Sequence, residues 1–146
     1  QELARSGLAA DRLVIELTEG VLIEEPNAAL AEIQALRSLG VRVALDDFGK
    51  GYSSLSYLER FPFDVLKVDR GFLKRLGREP RAEVVLRATL RLGRELGMTV
   101  CVEGVENREQ LSFLQQEGCD LVQGYLLGRP GAAILDRYFL HPDEGC

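Results

Sequence analysis

The stretch Val41-Arg42-Val43-Ala44-Leu45-Asp46-Asp47 decides how this chain is read. It is an apolar run of strand length that follows Gly40 and ends on two carboxylates. Side chains alternate faces along a strand, so Val43 and Leu45 point one way and Asp46 the other. Four more runs repeat the arrangement: Leu13-Val14-Ile15-Glu16-Leu17, Val65-Leu66-Lys67-Val68-Asp69, Val100-Cys101-Val102-Glu103 and Leu121-Val122-Gln123. Leu13, Ile15, Leu17, Leu66, Val68, Val100, Val102 and Val122 share the face of Val43 and Leu45. Glu16, Lys67, Asp69, Glu103 and Gln123 share the face of Asp46. One polar residue so placed is noise. The same offset in every run predicts a ring of charge at one mouth of a parallel β/α structure, where barrel enzymes carry their chemistry.

Helical segments alternate with these strands. Leu30, Ile33, Leu36 and Leu39 predict a helix over 28–39, started by Pro26-Asn27 and stopped by Gly40. Val85, Ala88, Leu92 and Leu96 predict a second over 81–96, before Gly97. Leu111 and Leu114 predict a third over 107–117, capped by Asn107 and closed by Gly118. A strand follows each of these glycines at once, the rhythm of successive βα units. A short helix is expected around 53–60 and a last one around 132–140. At 146 residues the chain reads as one domain, 1–146. Length alone suits an open doubly wound sheet, because a closed barrel typically needs about 250 residues. The shared parity of the polar residues favours a barrel lumen. The fold class is therefore α/β, an incomplete (β/α)₈ barrel of about five parallel units.

Composition narrows the function. Net charge is −5 with acidic and basic residues intermixed, which argues against a nucleic-acid polymer as partner. No apolar stretch approaches about 20 residues, and no signal-peptide pattern is present, so a cytoplasmic protein without a membrane segment is expected. Cys101, Cys119 and Cys146 lack metal spacing and read as small thiols in a reducing compartment.

Asp46-Asp47 is followed by Phe48-Gly49-Lys50-Gly51-Tyr52-Ser53-Ser54. Adjacent carboxylates on a strand point to opposite sides unless the backbone turns, and glycine permits the turn. Joined by Glu16 and Glu103, the carboxylates repel unless cations neutralise them or protons bind. The only histidine, His141, lies in the polar tail, so oxygen-only ligands point to Mg²⁺ or Mn²⁺ and not to zinc. Lys67 needs anionic partners in a lumen and could orient a water or contact a phosphate; a structural ion pair with Asp69 is the plainer alternative. Gln123 could bond a phosphate or a water. Glu19, one turn past Glu16, could accept amides of the 48–54 loop, and Glu106 faces the rim.

Taken together, Glu16-Leu17-Thr18-Glu19, Asp46-Asp47-Phe48-Gly49-x-Gly51-Tyr52-Ser53-Ser54, Lys67-Val68-Asp69-Arg70-x-Phe72, Val102-Glu103-Gly104-Val105-Glu106 and Gln123-Gly124-Tyr125-Leu126 resemble the successive motifs of EAL domains, the cyclic-di-GMP phosphodiesterases. The match runs from about residue 11 to residue 139. The resemblance implies a (β/α)₈ barrel with one reversed strand and hydrolysis of cyclic di-GMP to linear pGpG, dependent on two Mg²⁺ or Mn²⁺ ions. By position, Glu16, Asp46, Asp47 and Glu103 match metal-site carboxylates. Lys67 and Asp69 match the pair near the nucleophilic water, with Glu103 counted among the catalytic groups. Gln123 matches a contact at the phosphate, Glu106 is assigned with it to substrate binding, and Glu19 matches the glutamate that steadies the loop.

The Glu-Ala-Leu segment and a metal-binding asparagine of the family have no counterpart in these residues, so this stretch alone is expected to be inactive. Lys50 stands where the family usually has a small or uncharged residue. The alternative function is a non-catalytic module that binds cyclic di-GMP or regulates a partner; an unrelated barrel enzyme acting on phosphorylated metabolites is a third. Two unpaired sheet edges are expected, near 12–18 and 120–126, and with them a homodimer, strand exchange or marginal stability. The family pairs through the region matching 50–60, and regulatory domains are expected upstream.

Overall fold

The computed structural model describes residues 5–50, 55–129 and the backbone of Tyr138–Phe139. Five parallel strands follow the runs read above: β1 Val14–Thr18, β2 Arg42–Phe48, β3 Val65–Val68, β4 Thr99–Glu103 and β5 Leu121–Gln123. Each strand pairs with the next in the chain, in the order β1-β2-β3-β4-β5. A doubly wound sheet reverses its order at a switch point, and this one does not. Parallel crossovers share one hand, so an order without reversal puts every crossover helix on the same face. The opposite face becomes a lumen.

The helices begin and end where the chain chemistry dictates. They are α1 Glu19–Glu24, α2 Pro26–Ser38, α3 Leu55–Arg60, α4 Gly71–Arg75, α5 Pro80–Glu95 and α6 Arg108–Gln116. Pro26 and Pro80 occupy first-turn positions, where a missing N–H costs nothing. The Asn107 side chain accepts the Gln110 amide, and Gln110 returns the bond to the Asn107 backbone. After α2, α5 and α6 the chain passes through Gly40, Gly97 and Gly118 in the left-handed region, φ 83°, 74° and 67°. The short helices α1 and α4 were not expected. Neither is long enough to show a period, and both are fixed by packing, through Leu22 and through Phe72 and Leu73.

The two faces of the sheet carry different layers. Outside, Leu45, Leu66, Val68, Val100, Val102 and Val122 meet Ile33, Leu86, Leu90 and Leu114 of the helices. Inside, Ala44, Val65, Cys101 and Leu121 pack with Val14 into a separate apolar floor. Each floor residue lies two positions before a polar residue of its strand, so the lumen is layered, apolar below and charged above. Cys101 belongs to this floor. Cys119 is buried beside it, and burial, aided by Cys101, pushes its thiol up to about 12. The Cys119 thiol therefore stays protonated at neutral pH.

Two aspartates lace the strand starts. Asp64 Oδ2 accepts the Val43 amide at 2.9 Å, and Asp120 Oδ2 accepts the Val100 amide at 2.8 Å. In both cases the residue before a strand accepts the amide of the neighbouring strand's second residue.

Gly93 in α5 marks the closest approach of helix to sheet. A Cβ there would stand 2.4 Å from Val100 Cγ2. Gly→Ala inside a helix ordinarily stabilises by about 1 kcal/mol. Overpacking a core costs about 1–3 kcal/mol, so Gly93→Ala is expected to destabilise on balance. Urea denaturation should show a lower midpoint; an unchanged or higher one would count against this packing.

Two expectations need correction at the C-terminal side. Tyr138–Phe139 form a two-residue strand, β6, antiparallel to β5, where a helix over 132–140 was expected. The remainder of that helix lies outside the described residues. The reason is tertiary: β5 presents open backbone groups, and two aromatic residues suit strand pairing. By the same pairing, Leu121 and Val122 do not form the free edge expected at 120–126. Among the described residues β1 pairs only with β2.

Candidate metal and phosphodiester site

The site is built at the carboxyl ends of β1 to β5, above the apolar floor. Its hub is Lys67, on β3 and only 6% exposed. Lys67 Nζ donates to Glu16 Oε2 of β1 at 2.8 Å and lies 2.8 Å from Glu103 Oε1 of β4 and 3.2 Å from Asp46 Oδ1 of β2. Burial alone pushes the ammonium down. The hydrogen bonds it donates to Glu103 and Glu16 and the charges of Glu103 and Asp46 outweigh it, so its pKa rises and Lys67 stays charged.

The Asp46-Asp47 pair converges because the backbone turns at the second residue. Asp47 has φ 58°, in the left-handed region that aspartate enters more readily than most residues. The pairing of β2 with β3 shifts register between Leu45 and Phe48 at the same point, as a bulge that re-aims a side chain does. Gly49 follows at φ 93°, and a Cβ there would stand 2.0 Å from Phe72 Cε2, so no other residue fits. One oxygen from each of Asp46, Asp47 and Glu103 then lies within 4.8 Å of the others.

These residues suit a hard divalent cation. The donors are all carboxylate oxygens. Asp46 Oδ1 is buried and has no hydrogen-bond partner among the described residues; its contact with Lys67 is an ion pair without hydrogen-bond geometry. A buried acceptor left in that state is costly unless something else satisfies it. Glu16 stands apart from the three, held by Lys67.

A cavity of about 290 Å³ opens beside the carboxylates, lined by Asp47, Asp69, Glu103, Glu106 and Gln123 among others. Asp69 Oδ1 accepts the Gly71 amide at 2.7 Å, which fixes its orientation at the end of β3. Gln123 is set beside Glu103 by strand register. Glu106 follows the turn at Gly104 and is anchored by its own amide, which donates to Gln110 Oε1 at 2.8 Å. Glu19 lies elsewhere, at the start of α1, with Oε1 buried and unpartnered among the described residues. Residues 51–54 of the loop it was expected to hold lie outside the described residues.

Sequence reasoning gave no site role to five lining residues, Lys50, Arg70, Gly104, Gly124 and Tyr125. The signal was available for two of them. Arg70 follows Asp69 at a strand end, and Tyr125 lies two residues past Gln123 on the same rim. Tyr125 is 60% exposed, with the Arg129 guanidinium 4.9 Å from its ring centroid.

The EAL domain family matches residues 1–130. The chain belongs to the EAL domain family. Among curated relatives, the cyclic di-GMP phosphodiesterase NbdA of Pseudomonas aeruginosa is 44% identical over 128 residues, 88% of this chain and 16% of the relative. Among solved structures, the EAL domain of Mycobacterium smegmatis DcpA is 37% identical with a TM-score of 0.82, covering 88% of this chain and 57% of that one. A manganese and cyclic-di-GMP complex of Klebsiella pneumoniae BlrP1 is 38% identical with a TM-score of 0.82, covering 88% and 33%. The chain thus spans only part of these EAL proteins. Its five parallel strands superpose on TIM-barrel-like domains, as the lumen parity predicted. No helix among the described residues is long and apolar enough to cross a membrane.

Proposed function

We propose that this EAL chain forms part of a phosphodiesterase that hydrolyses cyclic di-GMP to linear pGpG with Mg²⁺ or Mn²⁺. The observation that carries the reading is the convergence of Asp46, Asp47 and Glu103 from two strands within 4.8 Å, in a fold whose relatives include the manganese and cyclic-di-GMP complex. Asp46, Asp47 and Glu103, with Glu16 at the margin, would hold two divalent cations. Cations bound there supply Lewis acidity, lowering the pKa of a water and offsetting charge on the phosphodiester.

The chain's own groups do the rest. Lys67 keeps Glu16, Asp46 and Glu103 in place as a permanent ammonium, since its proton is held tightly. Asp69, oriented by the Gly71 amide, faces the cavity where a water would be aligned and can accept its proton. Gln123 can donate its amide to a phosphate oxygen, and Glu106 can accept from a sugar or base donor at the rim. Glu19, through its buried oxygen, is suited to hold amides of the following loop.

A regulatory or binding role without turnover is the second reading. The assay is cyclic-di-GMP hydrolysis with Mn²⁺, run on the 146-residue chain and on a version carrying EAL strands upstream of Gln1. We expect pGpG from the extended version and none from the short one. Binding without turnover by the extended version would favour the second reading instead.

We place the reaction in the cytoplasm, where the buried thiols Cys101 and Cys119 stay reduced. We also infer a homodimer through residues 50–60, with Leu55, 62% exposed, as an apolar contact, and regulatory domains upstream. Sedimentation showing only monomer at high concentration would contradict the dimer.

A further inference from the structure

We propose that Lys50 is a tethered counter-ion that competes with divalent metal for Asp47, so that this chain's metal affinity is set by a residue outside the carboxylate cluster. The inference rests on the metal reading above. Lys50 Nζ lies 3.2 Å from Asp47 Oδ1 and 3.1 Å from Asp47 Oδ2, so it covers both oxygens at once. Whichever oxygen faces Asp46 and Glu103, a cation reaching it meets the ammonium first.

The backbone makes this contact a built feature. Asp47 and Lys50 close a turn, with the Lys50 amide donating to the Asp47 carbonyl at 3.1 Å. Within that turn Asp47 is left-handed, and Gly49 is locked against Phe72. The lysine stem therefore starts directly above the carboxylate it binds, three residues back. The two lysines divide the carboxylates: Lys67 pairs with Glu16, Asp46 and Glu103, and Lys50 pairs with Asp47.

The two lysines differ in how easily they yield. Lys67 is nearly buried and holds three carboxylates. The Lys50 side chain is 63% exposed and holds one. An exposed pair is weak and screened by salt, so Lys50 can be displaced while Lys67 cannot. Once displaced, it remains on the wall of the cavity beside Arg70, where it adds positive charge facing an anionic phosphodiester.

The test is Mn²⁺ binding, read by the loss of the free-ion electron paramagnetic resonance signal, on the longest soluble form that contains this chain. Lys50→Ala should bind Mn²⁺ about two- to fivefold more tightly than the unsubstituted protein, the ratio an exposed ion pair supports. Lys50→Arg should not tighten binding, because it keeps the competing charge. Circular dichroism on the same samples checks that both variants fold. Unchanged or weaker binding by Lys50→Ala, with the unsubstituted protein binding normally, would overturn the inference and leave the metal reading standing. Absence of binding in every variant would overturn both.

Discussion

In the version carrying EAL strands upstream of Gln1, Asp46→Asn is expected to lower cyclic-di-GMP hydrolysis by about a thousandfold while leaving the fold intact. Removing one preorganised charge-stabilising group from an active site costs about 10²–10³ in rate. Asp46 has two reasons to sit at the upper end. Its Oδ1 is buried with no hydrogen-bond partner among the described residues, and Lys67 Nζ stands 3.2 Å from it. Asparagine keeps the shape and removes the charge. Stability should hold or rise, because one of several crowded carboxylates has gone and Lys67 retains Glu16 and Glu103. Steady-state rates with saturating Mn²⁺, beside urea midpoints, separate the two effects. Near-normal turnover by Asp46→Asn would remove this residue from the metal site.

The second large effect is on stability. Lys67→Met should destabilise the domain by about 3 kcal/mol, toward the lower end of the range for breaking a buried pair. The lower end applies because the Glu16, Asp46 and Glu103 side chains keep 35%, 23% and 24% of their exposure and are partly solvated. Loss of the ammonium leaves three carboxylates facing each other over an apolar floor. A divalent cation can take over part of that neutralisation, so Mn²⁺ should raise the melting temperature of Lys67→Met more than that of the unsubstituted protein. Equal stability of the two proteins without metal would show that Lys67 is not the hub described above.

What the sequence made legible was periodic, and what it concealed was not. The parity of Glu16, Asp46, Lys67, Glu103 and Gln123 against Leu45, Leu66, Val100 and Val122 follows from strand geometry alone. The structure realises it as a lumen and an outer layer. The glycines after α2, α5 and α6 announced the helix ends because only a left-handed residue closes those turns. Asp47 shows the limit. That its carboxylate joins Asp46 depends on one positive φ and one register shift, and neither leaves a pattern in composition. The apolar floor was equally hidden: Val14, Ala44, Val65, Cys101 and Leu121 share the polar parity, and only the depth of the barrel separates them from the charged layer. β6 arose from an open edge on β5, a tertiary demand that no local pattern announced. Lys50 stood out as a departure from the family pattern, but its two contacts with Asp47 needed coordinates.

The central claim is that carboxylates from separate strands meet around a divalent ion at one rim. Anomalous diffraction at the manganese edge, from crystals grown with Mn²⁺, tests it most directly. We expect an ion held by oxygens of Asp46, Asp47 and Glu103 together. An ion bound elsewhere on the chain, with those three side chains left unoccupied, would contradict it.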